Sequence, residues 1–290
     1  MNILITGCAG FIGRNLVATL GRLNVTAMDV VEGFDVLPLF RSDTSHYYDL
    51  VIHAAAVAPH RLAIDGAPLT VGTRNLILDA EMFAWAALTK PGRVVYISSS
   101  AAYPVAYQDG AAPYRLREDD IDLHAPEHPD AIYGQVKLTG EHLAAAYRRQ
   151  GGAVTVVRPF SGYGTDQSEA FPFGAFRERA RRRADPFTVW GDGEQVRDWI
   201  HVDDVVGAIL AAAREGVDEP MNIATGIGTS LNGLAAMLTK EAGYSPDFER
   251  HPDAPKGVDY RVGDPTRMLE IYRPKVTLEE GVHRALASAA

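Results

Sequence analysis

The feature that most restricts what this chain can fold into is its opening. An apolar run over residues 1–6, MNILIT, stops at Gly7 and continues as "GCAGFIG", with glycines at 7, 10 and 13. A short continuous apolar run reads as a strand buried on both faces. Residues 12–20 then carry apolar side chains at helical period up to Gly21. Strand, glycine turn and helix in that order make a loop that closes on a phosphate, because glycines admit close backbone approach and the helix start offers free N–H groups.

The same strand signal returns at residues 25–29, 49–53, 92–97 and 154–157, and helical stretches at 72–87 and 131–150 separate the later ones. Near-continuous apolar strands alternating with helices predict an α/β, doubly wound parallel sheet covered on both faces. After Arg158 and Pro159 the rhythm breaks into shorter Gly- and Pro-punctuated pieces, with an Arg-rich helix at 176–183 and a late strand at 221–224. The expected division is a dinucleotide-binding domain over 1–160 and a smaller substrate-binding lobe over 161–290, with a helix at 202–214 returning to the main domain. The Ala-rich end, 285–290, reads as a fraying helix.

At 290 residues, 47% of them apolar and 22% charged, the chain has material for a large core. Its net charge of −9 repels nucleic acid and anionic membranes, so a polyanionic ligand must be held by local donors. The single cysteine, Cys8, excludes a disulfide framework and a cysteine zinc site; it reads as a small buried filler. The nine histidines show no metal spacing, and His53 and His201 read as strand-end residues. No apolar run approaches the ~18 residues of a membrane span, and the N-terminus has no signal pattern. A cytoplasmic protein with no nucleic-acid or membrane partner is expected.

Two groups of residues carry chemistry. Gly7, Gly10 and Gly13 form the phosphate turn, and Asp29, at the end of the second strand, is placed to accept hydrogen bonds from ribose hydroxyls. Its carboxylate would repel a 2′-phosphate, so the expected cofactor is NAD rather than NADP. Arg14 reads as a solvated helix residue. Further along, "RVVYISSSAAYP" at 93–104 crowds three hydroxyls at a strand end, and Tyr133 and Lys137 in "YGQVK" share one helix face. A phenol that titrates near ~10 is a poor base at neutral pH, and a nearby ammonium favours its phenolate. Tyr and Lys at this spacing, after a cofactor turn and a Ser-bearing strand, read as an acid/base pair.

Six motifs in order, "TGCAGFIG", "VIHAAA" at 51–56, "VVYISSSAAY" at 94–103, "YGQVK" at 133–137, "VVRPFSGYG" at 156–164 and "WGDGEQVRDWIHVDD" at 190–204, resemble the extended short-chain dehydrogenase/reductases. The closer resemblance is to their NAD-dependent nucleotide-sugar epimerase/dehydratase family. It implies Ser99, four before Tyr103, as the catalytic serine beside Tyr133 and Lys137, with Ser98 left to cap backbone N–H groups and Ser100 as a substrate contact. It also implies that Phe11 and Ile12 pack the dinucleotide turn, that Asp35 and Val36 border the adenine, that Ala54, Ala55 and Ala56 pass under the phosphate and ribose, and that Phe160 lies near the nicotinamide. The segment from Asp29 to Asp35 is shorter than the family's, so a loop and part of a helix beside the adenine are expected to be missing.

For the substrate, the resemblance makes Arg197 a ligand of a nucleotide diphosphate, against the plainer reading of an ion pair with Asp198 or Asp203. Lys256 and Arg261 stand where the family supplies a second cation. Ser161 replaces an asparagine that touches the substrate phosphate, and Leu69 replaces another. The arginines at 177, 179, 181, 182 and 183 read as a solvated helix face. Relatives that eliminate water carry Asp-Glu where this chain has Ser100 and Ala101, and decarboxylating relatives keep the Glu; ring-deprotonating epimerase-reductases keep a Cys at the second position. What remains is reversible hydride transfer at one carbinol carbon. The expected enzyme is an NAD-dependent epimerase of a nucleotide-diphosphate sugar, a 4-epimerase of a UDP-hexose or a similar compound, working as a homodimer. The alternatives are a ketosugar reductase or alcohol dehydrogenase that exchanges its cofactor, and a non-catalytic dinucleotide sensor.

Overall fold

The computed structural model describes residues 1–21, 23–57, 66–110, 113–254 and 257–287. The first half runs β1 (Asn2–Thr6), α1 (Phe11–Leu20), β2 (Asn24–Met28), α2 (Leu37–Ser42), β3 (Leu50–His53), α3 (Pro68–Thr89), β4 (Val94–Ile97), β5 (Arg115–Leu116), α4 (Ala131–Arg149) and β6 (Val154–Pro159). The second half runs β7 (Ser161–Tyr163), α5 (Pro172–Arg181), β8 (Phe187–Trp190), β9 (Val196–His201), α6 (Val202–Glu215), β10 (Met221–Ile223), β11 (Gly228–Ser230), α7 (Leu231–Glu241), β12 (Phe248–His251), β13 (Tyr260–Gly263), α8 (Thr266–Leu269) and α9 (Leu278–Ala287).

Six strands form one parallel sheet in the order β10-β6-β4-β3-β1-β2. Ile3 sits between Val25 and Leu50, and Val95 between Ile52 and Thr155, so the apolar runs of separate strands meet in register. Side chains alternate between two cores. One, around Ile3, Ile5, Ile52 and Val95, is closed by α1 and α6; the other, around Leu4, Val51, Val94 and Tyr96, is closed by α3 and α4. The chain reverses sheet direction between β2 and β3, one on each side of β1, and that reversal opens a crevice at the strands' carboxyl ends.

Among the described residues β2 is the edge strand of the sheet on this side. At the other edge the late strand read as part of the smaller lobe is β10, paired with β6. With α6 also packed on α1, more of the second half joins the main sheet than the helix at 202–214, because Met221 and Ile223 complete the same core. The rest of the second half builds a sheet β11-β9-β13-β5 with β7 on β9, and a pair β12-β8, over a core of Phe173, Phe176, Phe187, Trp199 and Leu234. Buried Asp198 ties its strands together by accepting from the Thr225, Gly226 and Gly263 N–H groups. Among the described residues no helix is long and apolar enough to cross a membrane.

Candidate active site

The turn after β1 is shaped for a dinucleotide. Gly7 has a φ of +73°, and a Cβ there would lie 2.6 Å from the Ala54 carbonyl carbon. On Gly13 a Cβ would come within 2.0 Å of the Gly7 oxygen, and on Gly10 within 3.1 Å. Larger residues would force the turn open. No side chain caps α1, so its first N–H groups are left to an anion. Asp29 accepts from Ala9 N–H at 3.0 Å and Val31 N–H at 2.9 Å, through different oxygens, and each keeps a lone pair for a ribose hydroxyl. These residues fit NAD, with the pyrophosphate on the glycine turn.

Of the two residues expected to border the adenine, Asp35 accepts from Leu37 N–H at 3.0 Å, and Val36 packs inward into the core with Phe40. Cys8 is half-buried, and burial beside Asp29 and Glu32 pushes its thiol up. Arg14 is a solvated residue, its side chain 38% exposed; it pairs with the Asp166 carboxylate, donates to the Asp166 carbonyl at 2.6 Å and lies 5.3 Å over the Phe11 ring.

A cleft of about 750 Å³ leads from this turn to the second half of the chain. Phe11, Ile12, Ala54, Ala56, Ser99, Tyr133 and Lys137 line it on the sheet side, while Ala55 is buried and donates its N–H to Thr6 Oγ1 at 3.2 Å. Ser99 ends β4 and caps the next turn, its Oγ accepting from Ala101 N–H at 3.1 Å. Backbone capping was not expected of Ser99, yet it leaves the hydroxyl proton free to donate into the cleft. Ser98 does not cap backbone: it is buried and donates to Glu141 Oε1 at 2.5 Å. Ser100 is buried too and does not line the cleft, because the chain turns inward at Ser99.

Glu141 in turn holds Arg158 by two hydrogen bonds of 2.9 and 2.6 Å, and Arg158 donates to Tyr103 Oη at 3.0 Å and to the Glu118 carbonyl at 2.9 Å. All these groups are buried, so the frame beneath Ser99 is rigid, and removing one charge of the pair would cost about 3–5 kcal/mol.

Tyr133 and Lys137 lie one turn apart on α4, with the ammonium 6.0 Å from the Tyr133 ring centre and 5.0 Å from that of Tyr96. Lys137 draws the phenol's proton affinity down, as expected, but burial pushes it up by more. The net direction is therefore upward, with the lysine opposing it. A phenolate removed from water is costly even beside a cation. Sequence reasoning passed over Asp79, which adds to this rise. It stands on the buried stripe of α3 with Val71, Asn75 and Phe83, and a carboxylate on such a stripe was the available signal.

Across the cleft, Phe160 and Ser161 follow β6, and Arg197 and Arg261 face them from β9 and β13. Arg197 donates to the Val196 carbonyl at 2.8 Å and the Val258 carbonyl at 2.7 Å, while Asp198 is turned to other partners. Arg261 donates to Gln108 Oε1 at 2.5 Å and pairs with Asp130 at 2.8 Å. Lys256 lies outside the described residues. Of the arginine run, Arg181 and Arg182, paired with Glu178, and Arg183 are exposed and fit a solvated face. Arg177 donates to the Thr165 carbonyl, and Arg183 to that of Gly243 at 2.7 Å. Arg179 faces the cleft 5.5 Å over the Phe176 ring, and its burial pushes the guanidinium down. The helix turns one flank to the cleft, and a charge run alone does not reveal which residues lie on it.

The chain is similar to known proteins over most of its length. The model of a family described as NAD dependent epimerase/dehydratase matches residues 3–224. Among curated proteins, a UDP-glucose 4-epimerase of Mycolicibacterium smegmatis is 28% identical, over 99% of this chain and 97% of its own. A dTDP-4-dehydro-6-deoxy-D-allose reductase of a Streptomyces species is also 28% identical, over 93% of this chain and 90% of its own. Among solved structures, the UDP-glucose 4-epimerase of Thermotoga maritima with UDP-glucose superposes with a TM-score of 0.85 at 29% identity, covering 99% of this chain and 98% of that one.

Proposed function

This chain belongs to the NAD-dependent epimerase/dehydratase family, and from that premise we propose that it is an NAD-dependent epimerase of a nucleotide-diphosphate sugar, a 4-epimerase of a UDP-hexose. The observation that carries the reading is the composition of the cleft wall at the end of β4. Ser99, Tyr133 and Lys137 line the cleft together, while positions 100 and 101, Ser and Ala, bring no carboxylate or thiol to the ring. Elimination therefore lacks the acid and base that water-losing relatives place at those two positions, which leaves reversible hydride transfer at one hydroxyl-bearing carbon.

NAD, when bound, supplies the nicotinamide that takes a hydride from that carbon and returns it. Tyr133 Oη, as the phenolate that the Lys137 ammonium favours, takes the hydroxyl proton as the carbon is oxidised and is left a neutral phenol. Ser99 Oγ donates to the same substrate oxygen and holds it at the strand end. The resulting ketone turns within the cleft before Tyr133 returns the proton, so the product differs only in configuration. Arg197 and Arg261 hold the diphosphate through forked N–H donors. Substrate oxygens would compete with Asp130 and Gln108 for Arg261. The functional unit of this reading is a homodimer in the cytoplasm, joined through α3 and α4. Its support is the outer face of α3, which exposes Leu69, Leu76, Ile77 and Leu88.

The test is to denature the purified protein and assay released NAD, then incubate native protein with a panel of UDP-hexoses without added cofactor. Epimer formation with no net change in NAD is the expected outcome. Stoichiometric consumption of NAD or NADH would replace the reading by a reductase or dehydrogenase, and the absence of turnover on every sugar by a dinucleotide sensor.

A further inference from the structure

A buried polar chain runs beneath the catalytic pair. Starting at the cofactor floor, Ala55 N–H donates to Thr6 Oγ1, which lies 2.8 Å from His53 Nδ1. His53 Nε2 is 3.2 Å from Asp79 Oδ1, and Tyr96 Oη donates to Asp79 Oδ2 at 2.6 Å. The Tyr96 ring is in turn the surface under the Lys137 ammonium. Thr6, His53, Asp79, Tyr96 and Lys137 are each 2% exposed or less and come from five different elements.

Each link has one consistent hydrogen-bond direction if His53 carries its proton on Nε2. The threonine then donates to Nδ1 and the imidazole to the carboxylate, with no group left over. The fold also makes room for this chain. A Cβ on Gly140 of α4 would strike Tyr96 Oη at 1.9 Å and Asp79 Oδ2 at 2.9 Å. A helix that already pays for Lys137's burial keeps a glycine one turn later at this point of contact.

We propose that Asp79 is a positioning residue for the Tyr133–Lys137 pair: through Tyr96 and His53 it locks the lysine's seat and the Ala54–Ala56 floor into one frame. Asp79 touches neither substrate nor cofactor; it acts through the lysine and the phenol. The electrostatics point the same way. Lys137 and His53 hold the Asp79 carboxyl below its usual range despite burial, and Asp79 raises the proton affinity of Tyr133, against the lysine. The other ionisable groups around the pair are His53 on β3, Tyr96 on β4, Asp130 at the start of α4, paired with Arg261 of β13, and Glu141 on α4, neutralised by Arg158 of β6. Asp79 is thus the acid whose charge bears on Tyr133 without a guanidinium of its own.

With Asp79→Asn, Tyr133 loses a like charge and keeps the ammonium, so its phenolate forms at lower pH. The direct test is an ultraviolet tyrosinate titration of the holoprotein, with Tyr133 isolated by subtracting the same titration of a Tyr133→Phe partner in each background. Wild type and Asp79→Glu should share one midpoint, and Asp79→Asn should titrate lower. An unchanged midpoint in Asp79→Asn would overturn the proposal. If Asp79→Asn does not fold, Asp79→Leu with Tyr96→Phe removes both partners with similar shape and carries the same expectation.

The kinetic arm rests on the epimerase reading: the acid limb of kcat/KM should move down in pH with the titration. A titration shift in a protein that epimerises no sugar would sink that reading and leave the role of Asp79 standing. A lowered kcat with an unmoved limb and midpoint would mean that Asp79 is structural only.

Discussion

Tyr133 shows how one side chain's chemistry is divided between neighbours. Lys137, four residues on, favours the phenolate, while burial and Asp79 oppose it, and the opposition is the larger. Replacing Tyr133 by Phe removes the only proton carrier proposed at the reacting carbon and leaves the packing of α4 intact. Epimerisation by Tyr133→Phe should fall by about 10²–10⁴-fold with unchanged thermal stability and NAD content, as a steady-state assay beside a melting curve would show. A variant that epimerises at the wild-type rate would remove Tyr133 from the mechanism. The Tyr-Lys spacing was legible in the sequence because helical geometry alone brings i and i+4 together. The part played by Asp79 was not, since it depends on a contact between α3 and α4.

At the scale of elements, the strand, glycine turn and helix at the N-terminus behave as one unit. Their order in the sequence foretold the turn, because each glycine answers a local steric demand: positive φ at Gly7, and close approach to the Gly7 carbonyl at Gly13. Gly13→Ala should strain the turn by about 1–3 kcal/mol and lower NAD affinity by tenfold or more. Cofactor retained through purification and a fluorescence titration with NADH would both register it; undiminished binding would mean that the turn is not the pyrophosphate site. The segment after β4 was less transparent. Three adjacent serines gave no local sign of which faces the cleft, and their separation into Ser98 on Glu141, Ser99 on the cleft and Ser100 inside the protein is set by the turn that follows β4.

For the whole molecule, the parallel sheet places the ends of β1, β3, β4 and β6 around one crevice, and the second half of the chain supplies the opposite wall. The outer face of α3 is the proposed meeting place of two such molecules. Charging it with Leu76→Glu and Ile77→Glu, both at exposed positions, should halve the mass seen by light scattering without altering the fold's circular dichroism. A wild type that is already monomeric, or a variant that stays dimeric, would move the interface elsewhere. Features with local causes are legible along the chain: the buried strands from their apolar runs, the glycine turn from its steric demands, the Tyr-Lys pair from helical period, and the absence of a carboxylate at positions 100 and 101. Folding in three dimensions sets which half completes the main sheet at β10, which arginines reach the cleft, and that His53, Asp79 and Tyr96 converge under Lys137. Those facts rest on contacts between residues tens of positions apart. Which face of an element a neighbour covers is fixed by packing, and no spacing along the chain encodes it.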